Sequence, residues 1–321
     1  MLKYRRCHQD WAVGNTGDAG VAPTIAPMMP GPTSPPLNPE SLGFLGNDET
    51  GWTRTARGQD IHFRLLRTLD DLTQAERLQE EVFGVSARDL IPANELIVVA
   101  ETGGAVIAAF IPGQPDRAAG ILLGWGGFVG RPRIVSDFLA VRPESRNLGI
   151  AEGLKYLQAA IAYQRGFAEI VWTVDPLRAA NARLNFGKLG ATANAYEIDR
   201  YGSEFAPALY GGMPSDRLHV TWQITAPRVL ARLIGEIEGE SEPDAVSFAS
   251  GMSADDALVA IPPDIDAMLA ARPADALAWR LRLRETLIAA FAEGFAIVGF
   301  RGAMDDADPA YLMKRPAPAR T

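Results

Sequence analysis

The sequence predicts an α/β fold, of the mixed α+β kind, organised around residues 134–190. Three observations predict it. Residues 134–141 are apolar apart from Ser136 and Asp137, which reads as a strand buried on both faces. Arg142-Pro143 breaks that strand, and a helical period follows at once through Ile150, Leu154, Leu157 and Ile161. Residues 169–175 form a second apolar strand, followed by a helix from about Arg178 that closes on Lys188-Leu189-Gly190.

Strand, tight turn, then small residues at a helix start is the geometry in which backbone N–H groups and the positive helix end cradle a phosphate. Gly149 lets the backbone approach such a group without a side chain in the way.

The chain before this core divides in two. Residues 1–59 read as a disordered leader, with Pro23, Pro27, Pro30, Pro32, Pro35, Pro36 and Pro39 crowded together; a docking tail is the alternative. The main domain spans 60–225 and opens with a strand at 61–67. Thr68 with Asp70 and Asp71 marks a helix start, and Leu72, Ala75, Leu78 and Phe83 continue it. Residues 96–101 and 105–110 read as a hairpin across Thr102-Gly103-Gly104. Residues 118–125 are the next strand, and the glycine-rich stretch 124–130 is either a loose loop or a substrate lid.

After Gly190 come strands at 193–198 and 219–224. Between them lies a Gly/Pro-punctuated loop of the kind that carries function. Residues 226–321 read as a smaller α+β unit, entered through an acidic linker at 236–244. It holds strands at 257–262, 295–300 and 311–313, and a helix at 274–293 with Leu277, Leu281, Leu287, Ile288 and Phe291 on its apolar side. No catalytic constellation stands out there, so it reads as a packing or homodimerisation appendage.

The composition narrows the function classes. With 31 Lys and Arg against 39 Asp and Glu the formal charge is −8, which argues against nucleic acid or an anionic membrane surface as partner. One cysteine, Cys7, excludes disulfides within the chain and fits a reducing, cytoplasmic setting. With only His8, His62 and His219 besides, a metal centre is not expected. No apolar run reaches membrane-spanning length.

Arg146-x-x-Gly149-x-Ala151, after a strand and opening a helix, resembles the acyl-CoA diphosphate loop of the GCN5-related N-acetyltransferase (GNAT) superfamily; the second strand and the Lys188-Leu189-Gly190 ending fall in the same order. The resemblance implies a mostly antiparallel sheet with splayed central strands flanked by helices. It also implies acetyl-CoA or succinyl-CoA as cosubstrate, with no metal. The diphosphate would meet Arg146, Asn147, Gly149, Ile150 and Ala151. The pantetheine arm would pair with backbone groups of Leu139 and Val141, and Asn181 would reach the same arm unless it is a plain helix-surface residue.

The implied chemistry is direct attack of an amine on the thioester in a ternary complex, which needs positioning, a base and an oxyanion donor. Asp137 is the first candidate base, two residues before Leu139 in an apolar strand where burial would raise its pKa; a bond to a neighbouring loop is the other reading. Glu101 and Glu197 are weaker options. Phe186 stands where the superfamily often has its tyrosine acid, so Tyr201, Tyr196 or solvent must protonate the leaving thiolate.

Trp172-Thr173, Asp175-Pro176-Leu177, Asn181-Ala182, Tyr201-Gly202, the run 212–217 and Trp222 narrow the resemblance to predicted GNAT acyltransferases associated with N-acylamino-acid racemases. Some of these are N-succinyltransferases of amino acids. Arg217 would then bind a substrate carboxylate bidentately; an Asp216–Arg217 pair shaping the loop is the alternative. Val135 and Asp137 flank Ser136 where that group has histidines, so the acceptor can differ. An acyl-CoA sensor without turnover and a protein N-acetyltransferase are the competing functions.

Overall fold

The computed structural model describes residues 37–86, 89–202, 204–235, 256–304 and 307–315. Among them, twelve strands form one sheet in the order β1-β2-β3-β4-β5-β6-β7-β9-β8-β11-β12-β10. The central strands are β4 (Ala105–Phe110), β5 (Gly120–Gly127), β6 (Arg133–Val141), β7 (Glu169–Val174), β8 (Thr192–Glu197) and β9 (Arg217–Gln223). Neighbours run antiparallel, apart from the parallel pair β6–β7. This is the mixed, mostly antiparallel α+β arrangement expected.

The sheet begins earlier than residue 60. β1 (Leu45–Asn47), β2 (Gly51–Ala56) and β3 (Gln59–Leu65) form a meander at one edge, so the reading of a leader up to residue 59 is corrected for residues 37–59. The cause is apolar burial: Leu37, Leu42, Phe44 and Trp52 are core residues, and Phe44 packs edge-on to Phe63 at 5.4 Å. The prolines before position 37, Cys7 and His8 lie outside the described residues, as does the acidic stretch 236–244.

Two layers of helices cover the sheet. On one face α1 (Leu69–Phe83), capped by the Thr68 side chain, packs with α2 (Ala93–Glu101) over β4 and β5. Residues 96–101 are therefore the end of a helix, not a strand. The β-branched run Ile97-Val98-Val99 suggests a strand, but Gln79 of α1 bonds the Ile91 backbone in both directions and Glu76 accepts from Ala93 N–H, and these contacts fix a helix there. On the other face α3 (Ile150–Gln164) buries Leu154, Leu157, Ala160 and Ile161.

The C-terminal segment has the expected α+β character but extends the same sheet. β10 (Asp256–Ala260), β11 (Ala296–Arg301) and β12 (Ala310–Lys314) join at the β8 edge through Ile297 against Ala193. Five further helices lie among the described residues. α4 (Ala179–Ala182) continues as a π-helical turn at Arg183–Lys188, and α5 is Pro207–Tyr210. α6 is Pro227–Leu233, α7 is Ile265–Ala271 and α8 is Pro273–Ala292.

The apolar side read for α8 is corrected. Leu277, Leu281 and Ile288 are exposed, and the inward face is Ala276, Arg280, Leu283 and Leu287. Two buried carboxylates on other elements, Asp175 and Asp216, draw Arg280 and Arg284 inward. No described helix is long and apolar enough to cross a membrane.

Candidate active site at the parting of two central strands

β6 and β7 pair only at Ile134–Ile170 and Val135–Val171. Beyond those rungs both strands continue, to Val141 and Val174, without pairing to each other. The gap opens toward the carboxyl ends of both strands, as it must when two parallel strands part. On its other edge β6 stays paired to β5 through Val141–Gly120. Arg142 N–H donates to Ala119 C=O at that edge, and alternate residues of a strand point their backbone groups the same way. Leu139 and Val141 therefore turn theirs toward the gap, where a second extended chain could pair with them.

The register of β6 shifts at Asp137: Ser136 faces Gly124 and Phe138 faces Leu123, so Asp137 is an extra, bulged residue. The bulge interrupts strict alternation, and it, rather than the period of two, sets the direction of this carboxyl. The side chain is exposed to the open cleft, yet enough protein surrounds its carboxyl that desolvation raises its pKa; Arg200 opposes the shift. A bulge that re-aims a side chain beside a site is a recurrent device.

At the far end of β6 the chain turns through a short 3₁₀ segment, Pro143–Ser145, then Arg146, and enters α3. Asn147 and Gly149 both adopt left-handed backbone, at φ 64° and 85°. Gly149 is the N-cap and no side chain caps the helix, so the first N–H groups, at Ile150 and Ala151, are left for a ligand. A Cβ on Gly149 would meet the Ala56 methyl at 2.9 Å and nothing else within 4 Å. Arg146 and Asn147 in the turn are exposed, and so is Asn181 on α4.

The β8–β9 loop closes the other side of the gap. Tyr201 O–H lies 3.5 Å from Thr173 Oγ1 on β7, which brings the tyrosine to the parted strands. Its ring stacks on Phe205 at 4.7 Å, and Phe205 on Tyr210 at 6.0 Å. Arg217, the first residue of β9, is buried with its guanidinium 4.9 Å from the Tyr201 ring and 5.1 Å from the Tyr210 ring. It donates to Tyr210 Oη at 2.8 Å and to the carbonyls of Asp216 and Ser215. All these acceptors are neutral.

The Asp216 and Arg217 side chains do not pair, but Arg217 bonds the Asp216 and Ser215 carbonyls, so a loop-shaping role stands beside the ligand role. Asp216 instead accepts both donors of Arg284 at 2.9 and 3.0 Å, Tyr196 O–H at 2.7 Å and Asp199 N–H. Burial and the bond to Asp216 push the Tyr196 hydroxyl far above its usual range. Glu197 is held below the usual carboxylate range by Arg200 and His219, so it is a poor base. Glu101 is the exposed last residue of α2. Phe186 is fully buried, edge-on to Tyr311 at 5.6 Å.

Sequence reasoning thus named Asp137, Tyr201 and Arg217, which pairwise contacts join in a row: Arg200 acts on Asp137 and stacks on Tyr201, and Tyr201 stacks on Arg217. It missed Tyr210, Arg284 and a buried lysine, Lys155, whose Nζ donates to Ser136 Oγ at 2.9 Å. Its signal was a charged residue inside the apolar helical period of 150–161. Among the described residues no group of three His, Cys, Asp or Glu could hold a metal ion.

No protein-family model matches the chain, and no curated protein matches it. Solved structures do. The acetyltransferase of the GNAT family from Streptococcus pneumoniae is 15% identical, with a TM-score of 0.40, covering 50% of this chain and 97% of that one. The ribosomal-protein-S18-alanine N-acetyltransferase from Escherichia coli is 14% identical, TM-score 0.41, covering 52% and 95%. An N-acetyltransferase from Staphylococcus aureus Mu50 is 16% identical, TM-score 0.42, covering 51% and 99%. At such values the topology of the chain itself carries the reading: the parted central strands, the uncapped helix behind them and the flanking helices are the arrangement that the resemblance to the GNAT superfamily implied.

Proposed function

We propose that the protein is an acyl-CoA-dependent N-acyltransferase that passes an acetyl or succinyl group to the amine of a small molecule bearing a carboxylate, an amino acid being the simplest. One observation carries this reading: the gap between β6 and β7 and the uncapped, glycine-led start of α3 lie at the same end of one strand. A ligand with an anionic diphosphate and an extended amide arm fits both at once.

In this reading Arg146, Asn147 and the N–H groups of Gly149, Ile150 and Ala151 hold the diphosphate. Leu139 and Val141 pair with the pantetheine amides, and Asn181 flanks the arm. The thioester then reaches the closed end of the gap, where a β6 backbone N–H meets the developing oxyanion. The acceptor lies under the β8–β9 loop with its carboxylate on Arg217, a buried cation that donates to the neutral oxygens of Ser215, Asp216 and Tyr210. Asp137 takes the amine proton. The nitrogen attacks in line, and Tyr201 protonates the departing thiolate in place of the absent tyrosine at Phe186.

Release of free thiol from acetyl-CoA and succinyl-CoA, assayed over a panel of amino acids, tests this. Acceptor-dependent release supports it. Tight CoA binding without such release favours a sensor, the reading that the buried Phe186 supports, and turnover confined to peptides favours a protein N-acetyltransferase.

A further inference from the structure

Lys155 projects from α3 into the core and is almost wholly buried. Its Nζ donates to Ser136 Oγ at 2.9 Å, lies 3.5 Å from Gln158 Oε1 and stands 3.6 Å from the centroid of the Trp172 ring. None of these is an anion. Burial alone shifts its ionisation and holds the amine well below its usual range, which favours the neutral form over the ammonium. An amine in that state is a nucleophile.

Its place in the fold gives that nucleophile a target. The last rung between the parting strands is Val135–Val171, and the next residue on each is Ser136 and Trp172. Lys155 Nζ touches both, so it lies beneath the vertex of the gap. Gln158, one turn further along α3, has a buried side-chain nitrogen with no hydrogen-bond partner; it lines a narrow pocket with Gly124, Ile134 and Ala162. An unsatisfied buried donor is costly and calls for an explanation.

We propose that Lys155 is itself an acyl acceptor: when acyl-CoA fills the gap and no outside amine is present, the acyl group passes to its Nζ. This rests on the reading of the gap as an acyl-CoA site. The Nζ lone pair forms a C–N bond to the thioester carbonyl carbon and the C–S bond breaks. The proton shed by nitrogen passes by way of Ser136 Oγ to the sulfur, so CoA leaves as the thiol. The product is a neutral amide in a place that holds no counter-charge, and its new carbonyl is an acceptor for the Gln158 side-chain nitrogen.

The chain has four lysines, Lys3, Lys155, Lys188 and Lys314, which makes the adduct easy to place. The full chain is incubated with acetyl-CoA and no acceptor, then weighed intact, mapped by peptide mass and assayed for free thiol. CoA binding is followed in parallel by calorimetry. The expected result is one acetyl group per chain on Lys155, resistant to hydroxylamine, with one equivalent of thiol released. Lys155→Arg and Lys155→Met should form no adduct yet still bind CoA. CoA bound with no adduct overturns the proposal, as do adducts confined to the other lysines or a hydroxylamine-labile ester on Ser136. Absence of CoA binding in the unaltered protein instead removes the acyl-CoA reading, and this proposal with it.

Discussion

Arg280 of helix α8 forks onto Asp175, the residue that follows strand β7, at 2.8 and 2.9 Å, with both side chains buried. The pair fastens the C-terminal helix to the strand that forms one wall of the gap. Four residues on, Arg284 repeats the contact on Asp216, beside Arg217. The C-terminal segment thus ties down the strand ends that border the candidate site.

Breaking that pair from one side should be severe. Arg280→Leu strands a buried carboxylate and is expected to cost about 3–5 kcal/mol of folding stability, measured by denaturant unfolding. Burial alone would raise the Asp175 carboxyl, but Arg280 more than offsets this and holds it below the usual range. A depressed carboxyl stabilises fully above the unfolded value of about 3.9 and loses that contribution as pH falls through the folded value. The unaltered protein should therefore lose stability below about pH 4, and Asp175→Asn should flatten that limb.

Asp137 has the opposite sign. Its pKa is raised by desolvation, so its favourable contribution to stability is present at low pH and lost as pH rises through the folded value. The ionised carboxylate is then a cost to stability, which the proposed role as base would explain. Asp137→Asn should unfold at a slightly higher temperature while kcat falls by about 100-fold or more. The acid limb of the unaltered enzyme's kcat/KM profile should lie above the ordinary carboxylate range. An Asn variant with full activity would remove Asp137 from the mechanism.

Much of this was legible in the sequence, and the failures have local causes. The strand–turn–helix at 134–164 and its Gly149 could be read because one strand period, one break and one helical period follow each other without interruption. α2 was misread because its β-branched run carries a strand signal that contacts from Gln79 and Glu76 override. The bulge at Asp137 leaves no mark in sequence, since register is decided by the partner strand. The inward face of α8 was misassigned because buried ion pairs of Arg280 and Arg284 share it with Ala276, Leu283 and Leu287. Lys155 was visible as a letter, but its isolation from every anion is a property of the folded core alone.

Arg217 should matter to one substrate only. Arg217→Gln is expected to raise the KM for a carboxylate-bearing acceptor by about 10- to 100-fold, the worth of a charged hydrogen-bonded pair, while CoA affinity stays unchanged. Steady-state kinetics over acceptor and calorimetry with CoA separate these two effects. Equal losses in both would assign Arg217 to loop structure.

Placing a tyrosine at Phe186, where the GNAT superfamily often has one, should not help. Phe186→Tyr places a hydroxyl in the fully buried edge-on contact with Tyr311, whose own O–H already donates to Pro176 C=O at 2.6 Å. A new unsatisfied hydroxyl there should cost about 1–3 kcal/mol of stability and leave kcat no higher. A rate gain would mean that this turn of helix can reach the departing thiolate.

The most direct measurement is a calorimetric titration of the protein with CoA, alongside the Gly149→Val variant. A side chain at Gly149 must adopt left-handed backbone against the Ala56 methyl and stand where the diphosphate is proposed to lie. Saturable one-site heat from the unaltered protein, with affinity at least about 10-fold weaker in the variant, is the result expected if the start of α3 grips the diphosphate. No heat from the unaltered protein, or equal affinity in a variant that remains folded, would contradict it.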